Sequence, residues 1–169
     1  SLGRMDEALE CYDKAIQIKE NYAEAWNNKG NALEAVGRYE EAIQCYEKVI
    51  GIKPDYEQAH NNKGFALGSL GRYDEAIACY EKAIQINPQY EVAWNNRGNA
   101  EYNLGRYETS IPYFEKAVEV QPDYDIAWNN IGNALNKAGR HAEAIPFHER
   151  AIKSNAQFDY AWYALSKSR

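Results

Sequence analysis

The sequence predicts an all-α protein, an α-solenoid built from antiparallel helix hairpins stacked one on the next, and three observations predict it. The chain repeats itself with a period of 34 residues. Within each half-period the apolar residues fall three and four apart. Glycine and proline recur where those halves end.

Written in register from Ala23, the chain divides into blocks at 23–56, 57–90, 91–124 and 125–158. A phrase opens each block: Ala25-Trp26-Asn27-Asn28-Lys29-Gly30 returns as Ala59-His60-Asn61-Asn62-Lys63-Gly64, Ala93-Trp94-Asn95-Asn96-Arg97-Gly98 and Ala127-Trp128-Asn129-Asn130-Ile131-Gly132. Trp26, Gly30 and Leu33 make one stripe at helical spacing, and Ala42, Ile43, Tyr46, Val49 and Ile50 make a second, so each block holds two amphipathic helices. Gly37, Gly71, Gly105 and Gly139 stand where the first helix must stop and supply a left-handed residue without a side-chain clash. Glu40, Glu41, Asp74 and Glu75 favour the positive end of the second helix. Pro54, Pro88 and Pro122 close the blocks, because proline cannot continue a helix and biases its predecessor away from helical angles.

The ends are partial. Residues 1–22 match only the turn and second helix of a block, with Glu20 in the proline's place, which puts the start of the chain inside a longer array. Residues 159–169 open like another first helix, with Trp162 and Leu165 on the apolar stripe and Tyr163-Ala164 in place of the asparagine pair. That helix either caps the stack or is itself cut short. The whole chain, 1–169, reads as one array.

Trp, Gly, Tyr, Ala, Tyr and Pro at these intervals resemble the tetratricopeptide repeat (TPR) family, over essentially the whole chain. The resemblance implies a right-handed superhelix of hairpins whose first helices line a concave groove. It also implies a non-catalytic adaptor that holds part of another protein.

Composition narrows the function classes. A net charge of −6 gives no basic stripe for phosphate backbones, so nucleic acid is not an expected partner. No run is long enough for a membrane span, and Ser1-Leu2-Gly3-Arg4 does not open a signal peptide, so no membrane partner and a cytoplasmic, reducing location are expected. Cys11, Cys45 and Cys79 lie one repeat apart. Equivalent Cα atoms in packed hairpins are about 10 Å apart, beyond the roughly 7 Å that a disulfide tolerates, so they read as free thiols rather than as a bridge or a metal site. No cofactor is expected.

Asparagine is not favoured inside helices, yet Asn27-Asn28, Asn61-Asn62, Asn95-Asn96 and Asn129-Asn130 all fall there. On a helical wheel they lie away from the Trp stripe, with Asn31, Phe65, Asn99 and Asn133 and with Glu24, Gln58, Val92 and Ile126. A carboxamide offers two donors and an acceptor, so a row of them reads the N–H and C=O groups of an extended peptide. The TPR domain of the O-linked N-acetylglucosamine transferase resembles this arrangement, with an asparagine ladder that holds peptide backbones; the matching residues are Asn28, Asn62, Asn96 and Asn130. The alternative is a consensus residue copied by duplication and simply solvated. Asparagines also stand where chaperone-binding TPR domains place carboxylate-clamping cations, which leaves Lys137 as the one obvious groove cation. Lys29, Lys63 and Arg97 read as partly buried stems with their heads at the rim. Phe65 and Tyr102, with Val92 and Ile126, are the candidate side-chain anchors, although Phe65 can also be read as packing over Gly68.

His60, His141 and His148 take the places of Trp26, Tyr39 and Tyr46, and so read as packing substitutions facing the interior, with no catalytic or metal role. Pro112 and Pro146 fall inside second helices, which are expected to kink there or to start late. The functional expectation is a scaffold binding an extended protein segment. Its rivals are a module that associates end to end with its own copies and the recruiting part of a larger enzyme.

Overall fold

The structure, a computed structural model, describes residues 2–154 and 166–167, with side chains from Met5 onward. It is all-helical over the described residues and divides into two compact units, Ser1–Asn87 and Pro88–Arg169. Unit 1 contains α1 (Leu2–Ile18), α2 (Ala23–Ala35), α3 (Tyr39–Ile52), α4 (Glu57–Ser69) and α5 (Tyr73–Ile86). Unit 2 contains α6 (Glu91–Asn103), α7 (Tyr107–Val120), α8 (Asp125–Lys137) and α9 (His141–Ser154). In each unit every helix packs on the next, and the first helices of neighbouring hairpins also touch, α2 with α4 and α6 with α8. The helix expected over 159–169, with Trp162 and Leu165, lies outside the described residues except for Ser166 and Lys167. Among the described residues no helix is long and apolar enough to cross a membrane.

The glycine turns form as their sequence requires. Gly37 has φ 76°; its N–H donates to Glu34 O at 2.9 Å, and that of Arg38 reaches Leu33 O at 2.9 Å. This paired arrangement satisfies carbonyls that the helix end would leave open, and it recurs at Gly71, Gly105 and Gly139. Gly30, Gly64, Gly98 and Gly132 have a different reason. A Cβ on any of them would come within 2.7 Å of the ring of Tyr46, Tyr80, Phe114 or His148, so each hairpin closes by laying an aromatic ring on bare backbone. Buried alanines such as Ala42, Ala76, Ala93 and Ala127 let the helices approach, and the rings of Tyr46, Tyr80 and Phe114 are buried with them beside Leu33, Leu67 and Ile131.

The ring at position 26 has a polar handle as well. Trp26 Nε1–H donates to Glu20 O, Trp94 to Pro88 O and Trp128 to Pro122 O, at 2.8 to 2.9 Å. His60 Nε2 makes the same bond to Pro54 O at 2.9 Å, so Nε2 carries the proton there. Thus His60 and His148 are buried packing substitutions. His141 is not: it is exposed, with Nδ1 3.1 Å from Asn136 Oδ1, because the Tyr39 position lies at the outer start of the second helix.

Of the two outcomes expected at Pro112 and Pro146, the late start does not occur: α7 and α9 begin at Tyr107 and His141, in register with Tyr39 and Tyr73. Each proline is exposed, and the carbonyl it leaves without a helical donor belongs to an exposed residue of the first turn, Glu108 or Ala142, so it is not stranded in the core. Arg97 has no head at the rim. It is buried, donating to Glu101 Oε1 at 2.7 Å with its guanidinium 3.9 Å from the Tyr113 ring, since the aromatic side chain at 113 covers it. Lys29 and Lys63 are partly buried as expected and reach Asp13 and Glu47.

Candidate peptide-binding face

The first helices present the candidate face, α2 with α4 in unit 1 and α6 with α8 in unit 2. Consecutive helical residues point about 100° apart, so the two asparagines of a pair cannot share one environment. The first of each pair is buried, Asn27 at 8%, Asn61 at 5%, Asn95 at 3% and Asn129 at 6% exposure. The expectation that these four line an open groove is corrected: they lie in the packing between helices. The second of each pair stays accessible, Asn28 exposed and Asn62, Asn96 and Asn130 partly so.

Two of the accessible asparagines, Asn62 and Asn130, are tied across hairpins. Asn62 Nδ2 donates to Asn31 Oδ1 at 3.1 Å and its Oδ1 accepts from Asn61 Nδ2 at 3.3 Å. In unit 2, Asn130 Nδ2 donates to Asn95 Oδ1 at 3.0 Å and to Asn99 Oδ1 at 3.2 Å. The ladder is therefore part of the stack's own cohesion, and each amide still has capacity for one or two more bonds.

Around the ladder, Phe65 and Ile126 are unusually exposed for large apolar side chains, at 45% and 44%. Val92 and Tyr102 are half-buried, and Tyr102 meets Tyr107 edge to face with centroids 5.1 Å apart. Asn99, Tyr102, Asn103, Asn130 and Asn133 rim a recess of about 180 Å³ whose wall includes Phe114. Lys137 is exposed at the end of α8. Phe65 does not pack over Gly68; the atoms nearest a Cβ there are Tyr80 Oη at 3.8 Å and Ala76 Cβ at 4.0 Å.

One residue at the end of α2 also stands out. Glu34 is half-buried and its Oε2 accepts from Tyr46 Oη at 3.1 Å. Burial pushes its carboxyl above the usual range, and the tyrosine's hydrogen bond only partly opposes this. Its spacing from Asn31, three residues on and so on the same helix face, was the signal available. The thiols are free: Cys11 exposed, Cys79 partly buried and Cys45 buried, with burial raising Cys45 to about 11 and Cys79 in the same direction.

A helical hairpin recurring every 34 residues, a ring laid on glycine and a shared first-helix face define a class of repeat scaffold. The family comparison agrees with that class: the tetratricopeptide repeat pattern matches residues 23–56 and 57–90, a second pattern of that description matches 89–157, and a TPR repeat pattern matches 1–37. The chain belongs to the tetratricopeptide repeat family. It is similar in fold to MamA from Desulfovibrio magneticus RS-1, at 23% identity and TM-score 0.83, over 93% of this chain and 89% of that one. It also resembles YrrB, described as a TPR protein with an unusual peptide-binding site, at 22% identity and TM-score 0.79 over 98% and 86%. A third relative is TTC0263 of Thermus thermophilus, a thermophilic TPR protein, at 18% identity and TM-score 0.80 over 99% and 91%. These similarities establish an all-α solenoid fold. No match was found among curated proteins.

Proposed function

We propose that the chain is a non-catalytic protein–protein interaction scaffold that holds an extended peptide segment on its first-helix faces. The TPR fold suggests such a role, and the observation that carries the finer reading is, in each unit, a pair of accessible amides beside uncovered apolar side chains. Asn28, Asn62, Asn96 and Asn130 contact the peptide backbone, while Phe65, Val92, Tyr102 and Ile126 select its side chains. Asn31, Asn99 and Asn133 orient the ladder, and Lys137 lies at one margin. Each amide contact contributes about 1 kcal/mol net, so ordering a flexible peptide leaves modest, reversible affinity. Two thiols inside the packing and a third at the surface, all unpaired, favour a reducing compartment such as the cytoplasm.

The test is selection of displayed random peptides against the chain and against the double variant Asn62→Ala, Asn96→Ala. Winners that bind the chain and lose about tenfold or more in the variant support the ladder. Equal binding to both removes the ladder from the mechanism. If no peptide binds, association between copies of the chain becomes the better reading, and sedimentation over a concentration series then decides it.

A further inference from the structure

Resting on the peptide-binding reading, we propose that the α2–α4 face of unit 1 selects a cationic side chain of the bound segment, an arginine or a lysine, through Glu34. The argument starts from one position in each repeat. Residues 34, 68, 102 and 136 end the accessible stripe of the first helix, and each is set beside the ring at 46, 80, 114 or 148. Gly68 leaves the Tyr80 hydroxyl uncovered by any side chain of its own. Tyr102 and Phe114 share a recess whose other lining groups are neutral amides. Asn136 Nδ2 lies 3.2 Å from His148 Nε2, a neutral pair. Only the first of the four positions is charged.

That charge has no cation. Lys29, Lys53, Lys63 and Arg38 pair with Asp13, Glu24, Glu47 and Glu41, and among the described residues no ion pair reaches Glu34. Tyr46 gives it one neutral hydrogen bond. Even that bond is shared: Tyr46 Oη has one proton and lies 2.9 Å from Asn31 Oδ1 and 3.1 Å from Glu34 Oε2. Half-burying a carboxylate without a cation works against folding, so its place on an accessible face is better explained by a ligand than by stability. A guanidinium or ammonium brings several donors and the missing charge together, and the uncovered Phe65 ring on α4 offers a surface for the aliphatic stem.

The experiment uses two displayed peptide libraries, one fully random and one without lysine and arginine, selected against the chain, Glu34→Gln and Glu41→Gln. Glutamine keeps the shape and the tyrosine bond of position 34, and Glu41, on α3, serves as a control carboxylate already paired with Arg38. The expected result is cationic enrichment at one peptide position with the chain and with Glu41→Gln, but not with Glu34→Gln. Replacing that cation by glutamine in a winning peptide then costs about tenfold in Kd on the chain and nothing on Glu34→Gln. Winners without cationic enrichment, or enrichment that survives Glu34→Gln, overturn the proposal and leave the peptide-binding reading standing. No winners from either library overturn both.

Discussion

In unit 2, Trp94 and Trp128 stack on Tyr113 and Phe147, with centroids 6.3 and 6.0 Å apart, whereas the same places in unit 1 hold Trp26 with Cys45 and His60 with Cys79. The amides differ in the same direction. Asn130 donates to both Asn95 and Asn99, but its unit 1 counterpart Asn62 reaches Asn31 alone and leaves Asn27 Oδ1 buried without a donor. At the end of the stripe unit 2 places neutral pairs, and unit 1 places the unpaired Glu34. One repeat pattern thus has a well-matched version and an unfinished one. The unfinished version leaves a carboxylate, Glu34, on the accessible face without a cation, so the proposed selectivity falls where a repeat departs from its neighbours.

The largest expected effect tests the well-matched unit. Phe114 is fully buried against Gly98, and Phe114→Ala should cost about 3–5 kcal/mol. Native-state hydrogen exchange should show the loss in α6, α7 and α8 with protection of α2 and α3 retained; a uniform loss would mean that the two units unfold as one.

Next in size is the contrast between buried asparagines. Asn95→Ala removes an acceptor in use and should cost about 1–3 kcal/mol, while Asn27→Ala removes an orphan and should be close to neutral. Urea midpoints for the two variants compare them directly, and equal losses would erase the difference between the units. Smaller again is the coupling of Trp94 with Tyr113, which a double-mutant cycle should place at about 0.5–1.5 kcal/mol. The same cycle at Trp26 and Cys45 should give less.

The smallest effect is a pH dependence confined to unit 2. Burial holds His148 below its ordinary value of 6.5, with Nδ1 donating to Asn129 Oδ1 and Nε2 accepting from Asn136 Nδ2. Above that value the ring is neutral in the folded and the unfolded chain alike, so it adds no pH dependence. As the pH falls through it, the unfolded chain takes up a proton that the folded one resists, and stability drops. Urea midpoints at about pH 7.5 and about pH 5.5 should therefore differ less for His148→Phe than for the chain itself.

Much of this was legible in the sequence. Gly37 and Pro54 marked turns because backbone conformation there depends on the residue itself, and Trp26, Leu33 and Tyr46 marked buried faces because helical spacing requires it. The candidate face was legible only in outline. A helical wheel resolves a side of a helix, not the boundary that the neighbouring hairpin draws across it, so it grouped Asn27 with Asn28 although one is buried and the other exposed. Arg97 illustrates the same limit, since its burial depends on the Tyr113 ring supplied by another helix.

The sequence by itself determined the hairpin, its period and its family, because each is a matter of local conformation repeated along the chain. Only the tertiary structure decided which asparagine of a pair is accessible, which amides are already spent on one another, and that Glu34 meets a tyrosine rather than a cation. Those outcomes depend on how side chains from separate helices divide a limited set of donors and acceptors once water has been displaced, a constraint that exists only after the helices have packed.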